Sequence, residues 1–493
     1  MKKTGFRDLE QTSASARDHI SWLRQLAPVL LVAMAIRMVV VFFTYRSLPD
    51  ADKFYESFGW EMGWIARALA SGHGFSSPYF PWSGPTAIEP PLYPALLSLV
   101  FRLFGIYSLT SAFVILTINS ILSTLTCIPV YFSAQYSLGN RAARIAAWVW
   151  ALYPFAIYFS AGRVWEYALT GLLFTTCFCI AQRIGQSAKP LAQSCLSWIG
   201  FGALYGIAAY SNASILSTLP FLLGFALYQA HKAGRRWMLN GALTVLTFAA
   251  VLAPWTIRNY KTFGILVPMR DNLWLELYAD DFGNAPNDHT SPPTCVNRPY
   301  PASNATELKK YLAMGEIAYL KEKHDLSIAD LRNHPHVAFL VTKTLRRVVY
   351  YWTGFWSFSA QELRDQPFTP ENVFYVSSVT LFMILGIVSL WRTNRTAVIP
   401  YLLLLGVFPI TYYLTHPMMD YREPIEPAVI VLGTAGALSL RSNRARAEAG
   451  RARAAAGRAR AAELASDLKL ADAKSVSNLG KSTRRKFTNH VTS

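Results

Sequence analysis

The acids and cations able to do chemistry are few, and they fall in short clusters. Asp50, Asp52 and Glu61 stand between a long apolar run and an amphipathic stretch, and Glu89 precedes a proline pair. Arg163 and Glu166 lie three apart. Arg258, Lys261 and Arg270 follow one another closely, and Tyr421, Arg422 and Glu423 form a further polar turn. A carboxylate accepts and returns protons, and an arginine fork matches paired oxygens, so these residue types suit acid–base chemistry on a charged substrate. Glu61 is the sharpest candidate. The stretch Trp60 to Ser71 carries Ile65, Ala68 and Leu69 on one helical face, and Glu61, one and two turns ahead of Ile65 and Leu69, projects from that same face. An acid on the buried side is a functional candidate. A plainer role is to complement the positive end of the helix, worth about 0.3 to 1 kcal/mol. Asp50 and Asp52 compete with it and also fit a solvated membrane flank, while Glu89 reads more simply as a loop residue.

The elements that must position these groups are membrane helices. The chain has 493 residues, of which 52% are apolar, 14% aromatic and only 15% charged, too little polar side chain to solvate a soluble surface. Several stretches, such as Thr110 to Phe132, Leu239 to Trp255 and Val373 to Trp391, approach or exceed the roughly 20 apolar residues of a membrane helix. They are also far longer than the roughly 10-residue segment of a barrel strand. The expected fold is therefore an all-α polytopic membrane protein of about ten transmembrane helices, with juxtamembrane helices and two large outer loops. The run Leu92 to Phe104 spans about 20 Å at 1.5 Å per residue, short of a roughly 30 Å core, and is read as re-entrant or surface-lying. Pro90 and Pro91 suit its first turn.

Counting that run as non-crossing puts Arg141 with Arg144, Arg183 with Lys189, Lys232 with Arg235 and Arg236, and Arg392 with Arg395 on the cytoplasmic side. The organisation that follows is a cytoplasmic N-terminus (1–25), a transmembrane domain (26–440) with outer loops 46–89 and 258–372, and a basic cytoplasmic tail (441–493). The tail carries thirteen basic and four acidic residues, half of the net charge of +18, in part as the repeat RARAEAG, RARAAAG, RARAAEL. It reads as a solvated low-complexity helix facing membrane lipids, so the charge does not call for a nucleic-acid partner. Cys177 and Cys179 point to different faces of one helix, and Cys295 is alone in its loop, so neither a metal site nor an intramolecular disulfide is expected there. His334-Pro335-His336 fits a turn better than a metal site.

The order of features in the first outer loop resembles the GT-C superfold of membrane glycosyltransferases: first span, acid, Ile-Ala-Arg helix, Gly72-His73-Gly74, then Pro90-Pro91-Leu92-Tyr93-Pro94 and an apolar run closed by Phe104-Gly105. It is similar in particular to the group that includes protein O-mannosyltransferases and lipid A aminoarabinose transferases, in a bacterial branch. Further matching stretches are Val164-Trp165-Glu166, Pro254 to Tyr260, Val267 to Asn272 with Glu276-Leu277, Gly315-Glu316, and Asp420 to Pro427. The resemblance extends from about residue 25 to 440 and lies in the order of pieces, none of which is specific alone.

What the resemblance implies is transfer of a hexosyl or pentosyl group from a polyprenyl-phosphate carrier to a lipid, glycan or protein acceptor on the extracytoplasmic face of a bacterial plasma membrane, with inversion. Many relatives carry an Asp-Glu pair in the first loop. Here Asp50 and Asp52 are split by an alanine, and the acid before the Ile-Ala-Arg helix is Glu61. Glu61 is the first choice as base, with Asp50 and Asp52 behind it. Arg258 and Arg270 are placed to hold the leaving phosphate, with Glu166, Arg163, Lys261, Tyr421 and Arg422 as further binding candidates. Membrane anchoring explains Arg258 and Lys261 equally well, and a local ion pair explains Arg163 with Glu166. No cofactor is implied. Clustered acids can hold a divalent cation, although no spacing demands one. The same residues leave open a transporter or lipid flippase, for which Arg37 would be an intramembrane charge, and an inactive relative that lacks the Asp-Glu pair.

Overall fold

The computed structural model describes residues 4–47, 58–79, 82–188, 190–279, 299–333, 337–354, 369–415 and 417–441, with Glu448, Arg453 and Ala456 beyond them. Asp50, Asp52, Lys189, Cys295 and His334 to His336 fall outside the described residues. The chain forms two compact units, Met1–Gly436 and Ala437–Ser493. In the second, the described tail residues Glu448, Arg453 and Ala456 are helical and exposed.

Nine helices among the described residues are long and apolar enough to cross a bilayer, and a tenth forms if a bent pair counts as one span. They begin with α1 (Thr4–Ser47), which crosses over Trp22–Ser47, and then α4 (Leu109–Leu125) continued by α5 (Cys127–Leu138). The bent pair is α6 (Asn140–Leu152) and α7 (Pro154–Ala161), meeting at 48°. Next come α8 (Tyr167–Ile184), α9 (Leu191–Ala209), α10 (Leu219–Lys232) with its preceding 3-10 turn, and α11 (Trp237–Phe263). After the outer region follow α16 (Thr369–Thr393), α17 (Arg395–Val407) continued by α18 (Ile410–Leu414), and a last span, Met419–Arg441, that opens on a 3-10 turn. Helix α8 packs against α4, α5, α9, α10 and that last turn, which places its Tyr167 end in the interior. Helix α11, by contrast, exposes Leu246 and Val245, as a lipid-facing helix should.

The bend at Tyr153-Pro154 explains Arg37. Proline cannot donate to the preceding turn, so carbonyls at the end of α6 need other partners. Arg37, fully buried in α1, donates from Nη1 to Ala151 O at 3.0 Å and to Ala33 O at 3.2 Å, and reaches Ser123 Oγ from Nε and Nη2 at 3.2 and 3.0 Å. Its charge also faces Glu423 of the last span. Arg37 thus caps a broken span and ties three helices together, a structural use for the intramembrane charge.

The short apolar helix α3 (Leu92–Phe104) does not cross. It buries Tyr93, Leu97, Val100 and Phe101 against α2 (Glu61–Ala70) and leaves Leu99 and Leu103 exposed. Helix α2 ends at Ala70, just ahead of Gly72-His73-Gly74. Gly72 sits at φ 84°, and the His73 and Gly72 amides return to Ala68 O and Leu69 O at 2.9 and 3.2 Å. The later outer segment folds onto this loop. Leu275 of α12 (Leu273–Leu277), with Tyr300, Tyr311 of α13 (Ala305–Met314) and Tyr319 of α14 (Glu316–Asn333), forms one core with Trp64, Tyr79 and Ile88 of the first loop. Inside it Lys323, fully buried, meets Glu307 Oε2 at 2.5 Å and the rings of Tyr278 and Tyr319. Helix α15 (Val337–Thr353) packs on α16 and α18: its Tyr350 and Tyr351 are buried and Arg347 donates to Leu414 O at 2.7 Å, capping α18, while Val341, Leu345 and Val349 are exposed along one face.

Candidate active site between the two outer segments

Glu61 is the first residue of α2, and a close backbone approach sets its place. Gly59 has φ 82°, and a Cβ there would lie 3.0 Å from Val164 O, so the start of α2 rests on the turn that carries Arg163 and Glu166. Trp60 follows at φ 49°, a region that costs a non-glycine residue about 1–2 kcal/mol and is kept only where packing imposes it.

Arg270 is brought to the same place by α11. Trp255 Nε1 donates to Met269 O at 2.7 Å, and Asn259 Nδ2 to Val267 O at 3.0 Å, fixing the turn after the helix. Its Nη2 then meets Glu89 Oε1 at 3.3 Å. Glu89 is held by its own neighbours, since Ala87 N donates to Glu316 Oε1 at 2.6 Å and Ile88 is fully buried. Glu276, whose Oε1 accepts from Asn272 Nδ2 at 2.9 Å, adds a second negative charge beside Arg270.

Burial dominates the electrostatics. It pushes Glu61 up to about 8, with Glu89 and Glu276 acting in the same direction and Arg270 opposing. Glu166 is likewise pushed up to about 8, first by burial and then by Glu89, and again Arg270 opposes. Glu89 is raised by burial even though Arg270 pulls it down. Burial also works against the charge on Arg270, but Glu89 and Glu276 more than offset it. These four acids and one arginine therefore share a single electrostatic neighbourhood, drawn from α2, the loop before α3, the turn before α8, and α12.

On the membrane side, Glu166 Oε1 accepts from Asn212 Nδ2 at 3.3 Å, while its buried Oε2 has no hydrogen-bond partner. Arg163 does not pair locally with Glu166. Its Nη1 lies 3.6 Å from Asp420 Oδ2, which also accepts from Tyr167 Oη at 2.7 Å, because the opening turn of the last span packs on α8.

The remaining candidates are placed differently. Arg258 braces the loop: Nη1 donates to Thr86 O at 2.7 Å and Nη2 to Phe75 O at 2.6 Å, beside the buried acids Asp271 and Glu316. Burial raises both of these acids. Lys261 is exposed on the last turn of α11. Tyr421 stacks on Tyr412 with ring centroids 4.9 Å apart. Arg422 is buried among the spans, paired through Nε with Glu426 and bonded to Thr380 Oγ1 at 3.0 Å, so it is not brought to the outer cluster. Among the described residues no group of three or more His, Cys, Asp or Glu side chains is arranged to hold a metal ion.

Residue-by-residue reading underrated Glu89, Glu276 and Asp420. The available signal for Glu89 was an acid directly ahead of two prolines entering an apolar helix, where the chain cannot turn the carboxylate freely to solvent. Chemically, the cluster offers a proton acceptor of raised basicity near one arginine, at the outer ends of several spans.

Residues 88–255 match the family described as dolichyl-phosphate-mannose-protein mannosyltransferase. The archaeal oligosaccharyltransferase AglB from Archaeoglobus fulgidus, in complex with an inhibitory peptide and a dolichol-phosphate, superposes with a TM-score of 0.52 at 14% identity, over 87% of this chain and 52% of its own. The chain thus spans about half the length of that protein. ArnT from Cupriavidus metallidurans bound to undecaprenyl phosphate aligns over 84% of this chain and 78% of its own at 13% identity, with a TM-score of 0.33. No curated protein matches the chain. The class is that of polytopic membrane proteins with the GT-C fold. Within it, the part from the end of the first outer loop through α11 is where the protein mannosyltransferase family is matched.

Proposed function

We propose that this chain is a glycosyltransferase that moves a sugar from a polyprenyl-phosphate carrier to an acceptor hydroxyl on the extracytoplasmic side of the plasma membrane, with inversion at the anomeric carbon. The observation that carries the reading is that Glu61, a part-buried acid of raised basicity, shares one electrostatic neighbourhood with Arg270, which is itself seated on Glu89 at 3.3 Å. In the reaction, Glu61 accepts the proton of the acceptor hydroxyl as its oxygen bonds to the sugar carbon. The bond from that carbon to the phosphate oxygen breaks on the opposite side, and the electron pair stays with the phosphate. A guanidinium beside that phosphate stabilises the charge that develops. Arg270 has this role, and Arg163, half-exposed and anchored by Asp420, is the second cation on the membrane side. The exposed apolar faces of α3 and α11 supply a lipid-facing surface along which a prenyl chain can lie.

The short basic loops support the orientation with both outer segments outside. A transporter reading loses its main residue, because Arg37 is accounted for as the cap of a broken span. The test is to purify the protein in lipid nanodiscs and follow release of prenyl phosphate from a radiolabelled prenyl-phosphate sugar. Release that requires an acceptor and disappears in Glu61→Gln supports the assignment. Absence of sugar consumption with every donor and acceptor class tried would sink it.

A further inference from the structure

Among the described residues the cations gathered at this site are arginines, and each already has at least one partner. Arg270 meets Glu89 at 3.3 Å, Arg163 meets Asp420 at 3.6 Å, Arg258 is engaged with two backbone carbonyls, and Arg422 is paired with Glu426 deep among the spans. A phosphate diester presents two equivalent oxygens sharing one negative charge, as a carboxylate does. Glu89 occupies only Nη2 of Arg270, whose buried Nε has no hydrogen-bond partner, so a diester that takes the Nε–Nη2 fork with both oxygens takes the place of Glu89 on Nη2. The groups facing Glu89 are Arg270 on the turn after α11, Glu276 on α12, Glu61 on α2, Glu166 before α8, and Tyr300. Three of these are acids and one is a phenol. Once parted from Arg270, a Glu89 carboxylate would be left part-buried among like charges, without the cation that offsets its burial.

Resting on the transferase reading above, we propose that Glu89 is an internal stand-in for the donor's phosphate on Arg270, and that donor binding displaces it with uptake of one proton onto its carboxyl. Glu89 is then a positioning residue. It keeps the guanidinium aimed and charged between turnovers, and it makes capture of a prenyl phosphate diester proton-linked. The direction follows from linkage. The acid binds its proton more tightly after Arg270 has left it than before, so binding is strongest at low pH and weakens as pH rises. Burial already raises Glu89 while the ion pair holds it down, so removing the ion pair widens the gap.

The experiment titrates the full-length protein in nanodiscs with farnesyl methyl phosphate, a diester whose single charge does not change with pH, over about pH 6 to 9. Calorimetry in two buffers of different ionisation heat counts the protons. The wild type is expected to take up close to one proton and to lose affinity by up to about tenfold per pH unit across the linked range. Glu89→Gln should bind with a much flatter pH profile and at least about tenfold more tightly at the alkaline end, while Glu61→Gln and Glu166→Gln keep the wild-type slope. An unchanged slope in Glu89→Gln overturns the proposal but leaves the transferase reading standing. No binding of the diester by wild type at any pH overturns both. If Glu89→Gln fails to assemble, the double variant Glu61→Gln, Glu166→Gln decides: persistent uptake supports Glu89, and lost uptake overturns it.

Discussion

Glu61 and Arg270 come from segments far apart in sequence, and the low-dielectric surroundings they share make each more consequential than it would be in water. Because a base must be ionised to act, turnover at saturating donor and acceptor should rise with pH and level off above about 8. Glu61→Gln should lower that turnover by about 10²- to 10⁴-fold and remove the ascending limb, with diester binding retained; an unchanged profile would exclude Glu61 as base. The same burial has an energetic side. Glu166 binds its proton more tightly folded than unfolded, so its contribution to stability is present at low pH and is lost as pH rises from the ordinary glutamate range through about 8. Glu166→Gln should therefore raise the thermal midpoint at pH 9 by more than at pH 6, which differential scanning fluorimetry in detergent can read.

At the scale of elements, α2 is aimed by backbone contacts. Alanine at Gly59 needs the left-handed region and puts its Cβ 3.0 Å from Val164 O, so Gly59→Ala should cost about 1–2 kcal/mol and pull Glu61 out of line. A large drop in turnover with near-normal expression is the expected result. Arg258 works through the loop it braces. Lysine cannot hold Phe75 O and Thr86 O with one planar fork, so Arg258→Lys should lower the thermal midpoint and raise the apparent KM for both substrates. If Arg258 bound phosphate directly, the donor KM alone would move. In the broken span, Arg37→Met leaves Ala151 O without its partner and Glu423 without one of the two arginines that face it, and should destabilise the bundle by about 3–5 kcal/mol.

For the molecule as a whole, the groups proposed as catalytic lie within Met1–Gly436, and the basic repeats lie in Ala437–Ser493. Deleting residues 442–493 should therefore leave donor turnover within about twofold of wild type. It should also weaken association of the protein with anionic vesicles, since each arginine near such a surface contributes about 1 kcal/mol. Co-sedimentation of the isolated tail peptide with anionic and neutral vesicles provides the matching measurement.

Spans, their order, the short non-crossing helix α3 and the stop of α2 at Gly72 could all be read from residue types along the chain. Each rests on local physics: a roughly 30 Å bilayer demands a fixed length of apolar helix, and glycine is the residue that tolerates a positive φ. Glu61 stands out by the same kind of pattern, whereas Arg270 enters through the resemblance in the order of motifs. The division of labour among the charges came only with the tertiary structure. Arg258 and Arg270 look equivalent in sequence, yet one meets backbone carbonyls 172 and 183 positions away and the other meets Glu89 across 181 positions. Asp420, across the chain from Arg163, displaced the local pair with Glu166 for the same reason. A charge's role depends on which partner burial leaves beside it, and that partner is chosen by packing between segments that no local spacing relates.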